Sequence, residues 1–199
     1  MRTILGRYLA TLAAATLTFA VAPEPAVSQA APRYVQADAE FLQGMIAHHA
    51  QAVAMSVLMP SRSKSEPLNS LAERIIVSQK DEIKIMRRWL LEHGADAPDP
   101  LEHPQHHDHM LMPGMLTAEE MARLAAATGA EFERLFLTGM IKHHEGAIAM
   151  VTSLYHTPGA AEDLAIYTMA TGVEADQRAE IARMGALLKP LLNQSEPHQ

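Results

Sequence analysis

The chain has 199 residues, 48% of them hydrophobic and 20% charged, which is the balance of one ordinary globular domain and not of a disordered chain. A formal net charge of −7 without a basic stripe argues against nucleic acid as a partner, and aromatics at 5% leave few rings for stacking platforms or sugar-binding surfaces. Cysteine is absent, which excludes disulfides, thiolate nucleophiles, Cys-ligated zinc and iron–sulfur clusters, whereas Met (13) and His (11) are in excess.

Residues 1–30 read as a secretory signal. Arg2 and Arg7 make a basic start, Leu9 to Val21 is a run of apolar and small residues, and Ser28-Gln29-Ala30 puts small residues before a cut at Ala31. Pro23-Glu24-Pro25 breaks the run before it reaches the roughly 20 apolar residues a spanning helix needs. Losing Arg2, Arg7 and Glu24 leaves a mature charge of −8. No later stretch is long and apolar enough to span, so the mature protein is expected to be periplasmic or secreted and free of a membrane span.

Four long helices follow. The first is expected from about Asp38 to Met59, stopping at Pro60. The second runs from about Pro67, a good first helical residue, to His93, with Gly94 just past its end. A short helix of about 118–128 starts at Thr117, where Thr117 and Glu120 form a capping box. The third long helix spans about Ala130 to His156, and the fourth about Ala160 to Lys189, before Pro190. No stretch alternates as a strand would.

These helices form a unit that occurs twice. Phe41-Leu42-Gln43-Gly44-Met45-Ile46-Ala47-His48-His49-Ala50-Gln51-Ala52-Val53-Ala54-Met55 returns as Phe136-Leu137-Thr138-Gly139-Met140-Ile141-Lys142-His143-His144-Glu145-Gly146-Ala147-Ile148-Ala149-Met150, with 10 of 15 positions identical. Gln79, Glu82, Ile83 and Met86 likewise match Gln177, Glu180, Ile181 and Met184. Two repeats, about 38–93 and about 130–189, flank a connector of about 94–116. The arrangement expected is all-α: an antiparallel four-helix bundle with the connector outside it.

Helical spacing puts Phe41, Met45, His48, Ala52, Met55 and Met59 on one face, with Leu42, Ile46, His49 and Val53 beside them. The repeat sets Phe136, Met140, His143, Ala147, Met150 and Leu154 beside Leu137, Ile141, His144 and Ile148. Each histidine pair therefore sits amid apolar neighbours. The partner helices carry Ile75, Gln79, Glu82, Met86 and Leu90, and Val173, Gln177, Glu180, Met184 and Leu188. A buried carboxylate without a partner costs several kcal/mol or is neutralised, so Glu82 and Glu180 need the histidines. A purely structural His–Glu network would satisfy that need. Recurrence of the whole His-His, Gln, Glu and Met set favours metal ligation over it.

The connector adds His103, His106, His107, His109, Met110, Met112 and Met115 among Pro and Gly. Methionine is a poor choice for a solvated linker. Thioether sulfur selects Cu(I), and imidazole accepts it, so this segment reads as a metal-capture element suited to an oxidising compartment.

The doubled Phe-Leu-x-Gly-Met-Ile-x-His-His-x-x-Ala-x-Ala-Met motif, followed by Gln-x-x-Glu-Ile-x-x-Met, resembles the domain-of-unknown-function 305 family, whose members include CopM-like periplasmic copper-binding proteins. The resemblance spans about Asp38 to Leu188. It implies a ferritin-like four-helix bundle and binding of Cu(I) or Ag(I) by Met and His, carried here by Met45, His48, His49 and Met55 and by Met140, His143, His144 and Met150. Ala47 and Lys142 stand where the family often has Pro, and Lys142 brings a positive charge near the second pair.

The expected function is thus sequestration or relay of copper, with Cu(I) favoured and silver also bound. Besides the metal ion, a copper-delivery or efflux protein is the candidate partner. Two alternatives stay open: a ferritin-like di-iron or di-manganese oxidase using Glu82, Glu180 and the histidines, and a structural bundle without metal. The first lacks the Glu-x-x-His pairing and the four to six carboxylates such centres use. No Ser or Thr stands by motif beside a His–carboxylate pair, so an enzyme is not expected.

Overall fold

The computed structural model describes residues 34–99 and 111–193. The expected export signal, Pro100, and His103, His106, His107, His109 and Met110 of the connector lie outside the described residues. All regular elements among the described residues are helices: α1 (Gln36–Ser56), α2 (Met59–Arg62), α3 (Glu66–Glu92), α4 (Ala118–Ala126), α5 (Gly129–His156) and α6 (Leu164–Asn193).

Local chemistry sets the boundaries. The first helix ends at Ser56, short of the expected Met59, and Pro60 does not stop it but sits in the opening turn of α2, where its missing N–H costs nothing. Pro67 opens α3 in the same way, and Gly94 follows its end at φ 73°, as expected. The capping box of α4 is closed: Glu120 N donates to Thr117 Oγ1 at 3.1 Å, and Thr117 N donates to Glu120 Oε2 at 2.8 Å.

The last helix departs from expectation at both ends. It begins at Leu164, not Ala160, because Asp163 Oδ1 accepts from Ala165 N at 2.7 Å and Ile166 N at 3.3 Å, capping the helix there. It continues through Pro190 to Asn193 instead of stopping before it. A proline removes one hydrogen bond from the helix. Leu187, Leu188 and Leu191 pack against the core on either side of it, and that burial offsets the loss.

The helices pair as α1 with α3 and α5 with α6, and α1 lies against α5. The α1–α5 pair is antiparallel. A Cβ at Gly44 would lie 3.4 Å from Met150 Cε, and one at Gly139 would lie 3.4 Å from Met55 Cε. Two apolar clusters result. One joins Phe41, Met45, Met86, Trp89, Val151 and Val173. The other joins Met55, Met59, Leu71, Ile75, Phe136, Met140 and Met184. Between them in the helix sequences lies a buried polar layer: His48, His49, Gln79, His143, His144, Gln177 and Glu180. No helix among the described residues is long and apolar enough to cross a membrane.

Candidate metal centre

All four motif histidines are fully buried. The rings of His48 and His143 meet across the α1–α5 contact with centroids 3.8 Å apart and planes tilted by 38°. The carboxylates expected to need partners have them. Glu82 Oε2 accepts from His49 Nε2 at 2.5 Å, and Glu180 Oε2 accepts from His144 Nε2 at 2.6 Å. His48 Nε2 donates to the Pro113 carbonyl at 3.0 Å.

These partners put a proton on one nitrogen of three of the rings. A carbonyl or carboxylate oxygen accepts, so Nε2 carries a hydrogen in His48, His49 and His144. The Nδ1 atoms of those three rings are buried and unpartnered, as are both ring nitrogens of His143. Unpaired buried polar atoms are costly in a native core and ask for an explanation. Burial pushes His48 from its ordinary 6.5 down to about 3, further lowered by His49 and His144, although the Pro113 carbonyl favours the charged form. Burial likewise holds His143 well below its ordinary value, aided by the neighbouring His48, His144 and His49. Both rings are neutral at physiological pH, the form in which imidazole ligates a metal.

Thioethers flank this layer. Met45, Met55 and Met140 are fully buried. Met150, expected in the core, is half-buried, because it lies over Gly44 beside Met112, whose Sδ would be 3.5 Å from a Cβ at that glycine. A surface groove of about 340 Å³ opens there, lined by Glu40, Phe41, Pro113 and Met150. Met112 and Met115 are themselves half-buried. The connector therefore does not lie wholly outside the helices, as the sequence suggested. Its last residues dock between α1 and α5: Gln51 accepts from Leu116 N at 2.8 Å and donates to Leu116 O at 3.0 Å.

Among the described residues no three His, Asp or Glu side chains converge on one point with metal-holding geometry. The donors in and beside the layer are imidazole nitrogens and thioethers, a set that suits a soft ion better than a hard one. Three carboxylates border the layer, because Asp176 joins Glu82 and Glu180. Burial and those two charges raise its pKa. Sequence comparison missed Asp176, since Ser78 takes its place in the first repeat. Lys142 does not charge the site. Its Nζ pairs with both Glu120 oxygens at 3.0 Å on the surface.

Comparison with known proteins agrees with this architecture. Residues 38–189 match the family model described as Domain of unknown function (DUF305). A DUF305 protein from Streptomyces coelicolor, described as secreted, superposes with a TM-score of 0.68 at 30% identity, over 82% of this chain and 98% of that one. CopM, solved in its Cu(II)-bound form, gives a TM-score of 0.63 at 27% identity over 77% of this chain and 96% of that one, and CopM has also been solved with Cu(I) and with Ag. The uncharacterised protein L153 of Acanthamoeba polyphaga mimivirus is 42% identical over 55 residues, so the matched segment spans only 36% of that relative. With its matched region covering most of its length, the chain belongs to the DUF305 family.

Proposed function

We propose that this protein is exported and binds a soft metal ion, Cu(I) foremost and Ag(I) alongside it, to sequester or relay copper. The observation that carries this reading is the set of buried, unpartnered Nδ1 atoms on four histidines, with His48 and His143 held neutral by burial, in a layer bordered by thioethers. Copper- and silver-bound structures of CopM support it. The ligands are drawn from Met45, His48, His49 and Met55 of one segment and Met140, His143, His144 and Met150 of the other. Glu82 and Glu180 orient His49 and His144 from behind, the usual place of a carboxylate at a metal-bound histidine. The fold is read as a duplicated, ferritin-like four-helix bundle whose two segments each bring a histidine pair to the middle layer.

The connector serves as a second, looser ligand set through His103, His106, His107, His109, Met110, Met112 and Met115. A di-iron or di-manganese centre is disfavoured, because Glu82 and Glu180 are already engaged by His49 and His144. Anaerobic titration with Cu(I) against a competing chelator, with elemental analysis of the product, tests the proposal. Uptake of Cu(I) in preference to Zn, Fe and Mn is expected. Selective retention of iron or manganese would refute it.

A further inference from the structure

Residues 112–115 form a turn that the helix motifs do not announce. Met115 N donates to Met112 O at 3.1 Å, and Gly114 sits at φ 76°. Proline second and a positive-φ glycine third make this a type II turn. It is pressed onto α5 with no room to spare. A Cβ at Gly146 would lie 1.9 Å from Pro113 O, and one at Gly114 would lie 2.4 Å from Lys142 O. Gly146 is buried in mid-helix, where glycine costs about 1 kcal/mol relative to alanine. Close approach of the turn explains why it is tolerated. Gln51 anchors the segment two residues on, through both hydrogen bonds to Leu116.

This turn aims a carbonyl at only one histidine. Pro113 O accepts from His48 Nε2, whereas the corresponding His143 meets no carbonyl of the turn and has only the His48 backbone near its ring. His49 and His144 are oriented alike by Glu82 and Glu180. The turn, present once, therefore breaks the equivalence of the two segments at this single pair. Gln51 and Gly146 occupy corresponding positions in the two copies of the motif. One anchors the turn and the other makes room for it.

From this we infer that the Met112–Met115 turn is a positioning element that holds His48 in its Nε2–H tautomer, so that Nδ1 is the nitrogen His48 offers to the metal. Gln51 and Gly146 act through the turn and touch no metal. The inference rests on the soft-metal reading given above, but its first half concerns the metal-free protein.

Two variants test it without altering a ligand. Gly146→Ala places a methyl where Pro113 O now lies, and Gln51→Leu removes the anchor; alanine also favours the helix, which keeps α5 intact. Long-range proton–nitrogen NMR of the metal-free protein reads the tautomer directly. The wild type should show His48 as Nε2–H. Both variants should show a mixed or reversed tautomer at His48, with His49 and His144 unchanged. Ag(I) affinity by competition titration should fall about 10- to 100-fold, as it does when the partner of a ligating histidine is lost. An Nδ1–H tautomer in the wild type would overturn the inference. So would variants that keep Nε2–H, or that change tautomer without loss of affinity. A wild type that takes up no Ag(I) or Cu(I) would instead overturn the metal reading, and the donor assignment with it, whatever the tautomer.

Discussion

At the scale of single residues, the four central histidines differ in what stands behind them. His49 and His144 each have a carboxylate, His48 has the Pro113 carbonyl, and His143 has neither, with only the His48 backbone near its ring. Glu82→Gln and Glu180→Gln should each weaken Cu(I) binding about 10- to 100-fold while leaving helicity intact, as measured by competition titration and circular dichroism. Unchanged affinity would make these carboxylates structural only. Burial also gives the layer a pH signature. His48 titrates near 6.5 in the unfolded chain and at about 3 in the folded protein. Its contribution is complete above 6.5 and is lost as pH falls toward 3, because the unfolded state takes up the proton first. His143 acts in the same direction. Well below 6.5, each depressed histidine should remove roughly 1.4 kcal/mol per pH unit. Asp38 and Asp176, whose pKa values are raised, work in the opposite sense in the carboxylate range. Melting temperature should therefore decline steadily from pH 7 to pH 4.5, and a flat profile would contradict the buried neutral histidines. Sequence spacing put the four histidines on buried faces and assigned Glu82 and Glu180 histidine partners, as the structure does, since a carboxylate beside a buried face has few partners to choose from. It could not say which histidine each would choose, nor find Asp176, whose charge interacts with Glu82 of another helix.

At the scale of elements, the helices were legible because their signals are local. Pro67, Gly94 and the Thr117–Glu120 capping box mark ends that packing had no reason to move. Pro190 misled, because tertiary contacts of Leu187, Leu188 and Leu191 outweigh one lost hydrogen bond. The docked end of the connector was harder to read. Met112-Pro113-Gly114-Met115 is a recognisable type II turn, but where a turn docks depends on a glycine, Gly146, that looks like an ordinary divergence between repeats. The connector should accordingly divide into two parts by experiment. Deleting residues 101–110 removes His103, His106, His107, His109 and Met110, and should lower copper stoichiometry with little change in the stability of the metal-free protein. Extending the deletion through Leu116 should cost a further 2–4 kcal/mol or so, from lost burial of Leu116 and two hydrogen bonds to Gln51. Chemical denaturation of the two variants distinguishes these effects. Equal stability would mean that the docked segment contributes no packing.

At the scale of the whole molecule, two apolar clusters come from the two halves of the long helices, and the stretches between those halves carry unpaired imidazole nitrogen. A chain seeking only stability would fill such a layer with apolar side chains, because buried polar groups left half satisfied cost more than they return. On the proposed reading, a bound metal would supply the missing partners. A ligand that binds only the native state raises stability by about 2.7 kcal/mol at a hundredfold excess over Kd. The most direct test is thermal denaturation with and without Cu(I), under anaerobic conditions, of the variant lacking residues 101–110. If the buried layer is the selective site, this variant should still be stabilised by Cu(I), and His48→Ala with His143→Ala should abolish most of that stabilisation. Loss of all Cu(I) stabilisation on deleting 101–110 would contradict the account and leave the buried histidines as a structural network.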